Sequence, residues 1–113
     1  LPVWSHYANE NWCMIGYHSA SVVADAIITG NLTGVDAQKA LDASVRTAKT
    51  GYYDGLQFYM KLGYVPEDKN SSSVSKTLEY SYDDWAIAQA AKKLGRNDIY
   101  KEFIDSSENW KNV

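Results

Sequence analysis

Apolar positions fall into four stretches of unequal character, and the inequality is informative. From about Asn9 to Ile28 the apolar residues Trp12, Cys13, Met14, Ile15, Tyr17, Val22, Val23, Ala24, Ala26, Ile27 and Ile28 cover nearly every side of a helix. That distribution marks a helix buried all round. The β-branched pairs Val22–Val23 and Ile27–Ile28 would suit a strand, but the length of the stretch predicts a helix. Gly30-Asn31 supplies the stop, since both residues tolerate the left-handed cap conformation. A second helix is predicted after Gly34-Val35, with Asp36 as N-cap. Here Ala37, Ala40, Leu41, Val45 and Ala48 share one face, and Gln38, Lys39, Asp42 and Arg46 fall largely on the other. This is an amphipathic outer helix.

Residues 51–66 read as a connector with a short helix over about 54–60, and the polar run from Glu67 to Ser73 reads as a loop. A third long helix is predicted over about 74–94. Serines before it can cap it, Lys92-Lys93 suit its last turn, and Gly95 ends it. Its body, Trp85 to Ala91, is again apolar over a wide arc. The fourth helix starts near Asn97, with Ile99, Tyr100, Phe103, Ile104, Ser107 and Trp110 on one stripe.

The order is therefore buried, amphipathic, buried, amphipathic. Two helix pairs that alternate in this way predict an all-α fold of the α/α-toroid or α-solenoid kind, an inner ring wrapped by an outer one. A four-helix bundle would show four comparable stripes.

Charge and composition narrow the function. The 113 residues carry 11 basic and 14 acidic side chains, a net −3. No basic excess exists to neutralise phosphates, so nucleic acid is not the expected partner. No apolar run approaches the ~20 residues that span a bilayer. Hydrophobic residues make up 45%, enough for a folded core. Cys13 is the only cysteine, so no internal disulfide can form, and its apolar setting predicts a buried, inert thiol. Nine Tyr and four Trp suit either an aromatic core or a sugar-stacking cleft. Trp12 and Trp85 are expected in the core, and Trp4 is the better candidate for a cleft. Asn31-Leu32-Thr33 matches a glycosylation sequon, a weak signal.

Two polar strings open the two buried helices: Asn9-Glu10-Asn11-Trp12-Cys13-Met14-Ile15-Gly16-Tyr17-His18-Ser19, and Ser73 to Trp85, which reads SVSKTLEYSYDDW. At these residues the sequence resembles glycoside hydrolase family 92, the calcium-dependent exo-acting α-mannosidases. Val23-Ala24-Asp25-Ala26 and Lys61-Leu62-Gly63-Tyr64-Val65-Pro66 fit the same family, so the resemblance covers nearly the whole chain. It implies an (α/α)6 barrel, of which residues 1–113 would be a fragment of about two helix hairpins. It implies inverting hydrolysis of terminal α-mannosides of N-glycans, and a parent protein that is secreted, periplasmic or cell-surface, in a bacterium. It implies calcium in the parent enzyme, with none expected in this chain. The general acid, general base and calcium ligands would mostly lie further along the barrel. The chain alone is therefore expected to be inactive, and to self-associate through apolar helix faces that lack their barrel neighbours. A carbohydrate-binding or structural helical module, or another α/α-toroid glycosidase, remains the alternative.

Inverting glycosidases need two carboxyl groups ~6.5–9.5 Å apart. No catalytic residue is assigned, and the weak candidate is Glu79. Glu10 and Glu79 each stand near the start of a buried helix, and parallel inner helices would open both onto one rim. Lys76, Glu79, Tyr80 and Asp83 fall at i, i+3, i+4 and i+7 and share a helix face. Lys76 is expected to offset the repulsion between Glu79 and Asp83. Glu10, Lys76, Glu79 and Tyr80 are the substrate-pocket candidates, with a structural tether the other role open to each. Asp83 and Asp84 point about 100° apart, which predicts tethering rather than shared metal binding. His18 is expected to be a satisfied core histidine, and no metal ligand is assigned.

Overall fold

The computed structural model describes residues 1, 5–10 and 13–113; of residues 5, 6 and 10 it describes the backbone only. The predicted Trp4 and Trp12 positions lie outside the described residues, as does the Glu10 side chain. The chain opens with a hairpin, β1 (Ser5–His6) and β2 (Asn9–Glu10), paired antiparallel with Ser5 opposite Glu10. Five helices follow: α1 (Ser19–Ile28), α2 (Gly34–Ala48), α3 (Leu56–Leu62), α4 (Ser73–Lys93) and α5 (Asn97–Ser107). A 3₁₀ turn over Glu108–Asn112 closes the chain.

The first helix is the main departure from the sequence pattern. It begins at Ser19, not near Asn9, so Glu10 stands in the hairpin rather than in a first helical turn. The physical reason lies at Gly16, whose φ is +91°. A left-handed residue there breaks any helix running in from Asn9. The loop it creates exposes Cys13, against the expectation of a buried thiol. The other elements fall close to their predicted positions, with differences at the caps. Helix α2 starts at Gly34 after Thr33, which places Asp36 in the first turn instead of at the cap. Ser72 precedes α4 in a left-handed conformation and makes no side-chain capping bond. Helix α4 ends at Lys93, with Gly95 left-handed just beyond.

Helix α4 is the axis of the fold. It packs against α1, α2, α5 and the 3₁₀ turn. The core joins Ala20, Ala24 and Ile27 of α1, Ala37 and Leu41 of α2, Leu56 and Tyr59 of α3, Ile87 and Ala91 of α4, and Ile99 and Phe103 of α5. Helix α1 is not buried all round within this chain, since Val22 and Ile28 face outward. Trp85 is likewise half-exposed rather than in the core, stacked on Tyr82 with ring centroids 6.3 Å apart.

Candidate functional site

The loop before α1 lies against α4 and is tied to it by two adjacent carboxylates. Asp83 has no exposed surface. Its Oδ2 accepts the Tyr17 backbone N–H at 2.7 Å, and its Oδ1 lies 2.8 Å from His18 Nδ1. Burial pushes the Asp83 carboxyl up from its ordinary range, and the bonds from Tyr17 and His18 pull back against that rise. The other His18 ring nitrogen, Nε2, lies 3.1 Å from Glu79 Oε2. Glu79 keeps 44% of its side chain exposed and His18 keeps 29%, so this pair reaches the surface.

Asp84 turns away into a second cluster. Its Oδ1 accepts the Tyr17 hydroxyl. Its Oδ2 accepts the Tyr59 hydroxyl at 3.0 Å and the Ser106 hydroxyl. One carboxylate thus ties the pre-α1 loop, α3 and α5 to α4. Burial pushes Asp84 up to about 6, with the donors from Ser106, Tyr17 and Tyr59 opposing the rise and the charge of Asp83 adding to it. Burial first and the Asp84 charge second raise the Tyr17 and Tyr59 hydroxyls well above the usual tyrosine range. A cavity of about 420 Å³ opens between α2, α3 and α5 above Asp84, Tyr59 and Ser106. Its polar floor is already saturated by these internal bonds. Asp83 and Asp84 therefore diverge, as adjacent helical residues must.

Of the four pocket candidates, the Glu10 side chain lies outside the described residues, and the other three do not converge. Lys76 is buried, pairs with Asp54 Oδ1 at 2.9 Å and donates to Asn70 Oδ1. It does not offset Glu79 and Asp83, as the helix spacing suggested; His18 stands between those two carboxylates instead. Tyr80 is fully buried, stacks on Tyr17 at 5.4 Å and donates its hydroxyl to the Asp54 carbonyl at 2.7 Å. Lys76 and Tyr80 thus both grip the turn before α3. Of the three with described side chains, Glu79 alone reaches the surface, and its partner His18, expected in the core, is partly exposed as well. That partnership could be read only from the proximity of the two polar strings, which sequence spacing does not give.

A family model for the glycosyl hydrolase family 92 catalytic domain matches residues 1–113. The chain belongs to glycoside hydrolase family 92. Among solved structures, a family 92 α-mannosidase of Bacteroides thetaiotaomicron superposes with a TM-score of 0.92 at 52% identity. The match covers 98% of this chain and 15% of that one. The same α-mannosidase has been solved in complex with mannoimidazole. An inverting family 92 mannosidase of that organism gives a TM-score of 0.91 at 38% identity, over 100% of this chain and 16% of that one. A secreted glycosidase of Arthroderma benhamiae is 27% identical over 87% of this chain and 14% of its own length. The chain thus spans about one-seventh of these relatives. The all-helical hairpins are part of the α/α-toroid catalytic domain that the family carries.

Family membership brings calcium into question. A calcium site takes ~6–8 oxygen ligands. Among the described residues no three His, Cys, Asp or Glu side chains gather where they could share an ion. Asp83 and Asp84 are committed to Tyr17, His18, Tyr59 and Ser106. The described residues do not fit a calcium cage.

Proposed function

We propose that residues 1–113 are about two helix hairpins of the (α/α)6 catalytic barrel of a secreted, inverting α-mannosidase. The observation that carries this reading is the match to a solved α-mannosidase at 52% identity across 98% of the chain. The inverting course is supported by the second mannosidase relative, and export by the secreted glycosidase. The substrate would be a terminal α-mannoside, such as those capping N-glycans, hydrolysed by water.

Within the barrel this segment supplies wall and rim. Its interior groups are spent on tethers: Lys76 to Asp54, Tyr80 to the Asp54 carbonyl, Asp84 to three hydroxyls. Glu79 and His18 reach the surface beside the start of α1, and they are proposed to meet sugar hydroxyls there. An acid and base pair ~6.5–9.5 Å apart, and the calcium of the family resemblance, belong to the rest of the protein in this reading.

The test compares the 113-residue chain with the full-length protein on an aryl α-mannoside and on α-linked mannobiose. The full-length protein should release mannose, first as the β-anomer by proton NMR, and the short chain should release none. First release of the α-anomer, or turnover by the short chain, overturns this reading.

A further inference from the structure

His18 occupies an unusual electrostatic position, with a carboxylate on each ring nitrogen. Nδ1 is 2.8 Å from Asp83 Oδ1 and Nε2 is 3.1 Å from Glu79 Oε2. Carboxylate oxygens accept and do not donate, so both contacts are hydrogen bonds only when both ring nitrogens carry hydrogen. Asp83 cannot swing away, because its second oxygen holds the Tyr17 N–H and the group is sealed from solvent. The ring cannot retreat either. A Cβ on Gly16 would lie 2.8 Å from His18 Cε1 and 3.1 Å from Asp83 Oδ2, so the loop leaves no room for a side chain beside them. The edge of Tyr82 closes another side, with ring centroids 6.3 Å apart.

The charged groups facing the ring are Glu79 and Asp83, both from α4. Among the described residues no lysine or arginine pairs with either; Lys76, one turn before Tyr80, pairs with Asp54. Glu79 uses one oxygen on His18, and among the described residues its other oxygen has no protein partner. With 44% of its side chain exposed and one oxygen held by His18, Glu79 is placed to offer the other to a hydroxyl.

We propose that His18 is a positioning residue for sugar binding: anchored by buried Asp83, it holds Glu79 by one oxygen and leaves the other to accept a hydroxyl of the mannoside. The proposal rests on the reading that Glu79 meets sugar, so the experiment separates the two. It uses the full-length protein as wild type, H18Q, E79Q and the double variant.

In ¹⁵N-histidine-labelled protein, the two His18 ring nitrogens are assigned by through-bond correlation to the His18 backbone. The Nε2 signal, which faces Glu79, should shift in E79Q more than the Nδ1 signal, which faces Asp83. His18 signals unchanged in E79Q overturn the bridge, and this arm decides even if H18Q folds poorly. In mannoside hydrolysis, H18Q and E79Q should each raise KM about tenfold, the size expected for loss of one charge-assisted hydrogen bond, with kcat changed less. The double variant should be no worse than the weaker single. KM rises that multiply in the double variant overturn the positioning role. Responsive His18 signals with unchanged KM in E79Q leave the bridge intact but overturn the proposal through the failure of its sugar contact.

Discussion

Asp84 offers the sharpest stability prediction, because its environment pulls in two directions. Three hydroxyls donate to it, from Tyr17, Tyr59 and Ser106, and each favours the ionised form. Burial opposes them and wins: the carboxyl rises from 3.8 to about 6. In the unfolded chain it returns to its ordinary value. Between about pH 4 and pH 6 the folded state therefore holds more protons at this group than the unfolded state does. Stability then falls as pH rises through that window. A rise of about two units at about 1.4 kcal/mol each amounts to about 3 kcal/mol.

The assay is urea unfolding of the wild type and D84N, followed by circular dichroism across the same pH range. Asn cannot ionise, so the Asp84 contribution disappears in the variant. Asp83 is raised by burial as well, and its pH dependence persists in both proteins. Surface pairs such as Lys49–Glu102 also persist, and each is worth only ~0–1 kcal/mol. Subtracting the two curves removes these shared contributions. The wild type should lose about 3 kcal/mol relative to D84N between the two ends of the window. Parallel curves, with a constant offset at every pH, would refute the claim that burial outweighs the three donors.

Two further perturbations probe the loop and the outer face. Gly16→Ala places a side chain at φ +91° and 2.8 Å from the His18 ring, so it should cost ~1–3 kcal/mol by thermal melting; an unchanged midpoint would mean that the loop has room for a side chain beside His18. The chain is expected to self-associate through the half-exposed Leu78, Tyr82 and Trp85, which line a groove of about 300 Å³ with Trp110. The L78S/W85S variant should sediment closer to monomer than the wild type, with stability altered by less than ~1 kcal/mol. Identical sedimentation of the two would show that this face does not drive association.

Periodicity made α2 and α5 readable, because each has a single wet face and its buried residues repeat at helical spacing. In α2 the buried Ala37, Leu41 and Ala48 lie on the predicted stripe, and in α5 Ile99 and Phe103 do. The hairpin before α1 gave no such signal. Its two-residue loop, Tyr7-Ala8, has positive φ at both positions, and neither residue type advertises that conformation. Gly16 stood inside a run apolar enough to mask the break it causes. The tethers escaped for a different reason. Asp84 finds its partners in three other segments, and Lys76 finds Asp54 across the connector, so helix spacing alone offered Lys76 only its neighbours on α4.

Helix α4, expected to be buried over a wide arc, distributes its polar and apolar residues unusually in its first half. Over residues 73–85 its interior face carries Lys76, Thr77, Ser81, Asp83 and Asp84 beside Tyr80, and its outer face carries Val74, Leu78, Tyr82 and Trp85; from Ala86 to Ala91 the buried side is apolar. The first half is the reverse of an ordinary surface helix, which hides its apolar side. The interior polar groups are satisfied, so they can stay buried without the penalty of an unmade bond. Among the described residues, the outer apolar groups Val74, Leu78, Tyr82 and Trp85 stay about half exposed. Partners on one side and oily residues on the other suit a helix that packs on both faces, as helices of an α/α toroid do, and this segment spans about one-seventh of its relatives' length. The reversed amphipathicity and the α/α-toroid fold are compatible: one face of α4 is tied down by Asp83 and Asp84, and the other carries apolar groups of the kind that pack between helices of such a fold.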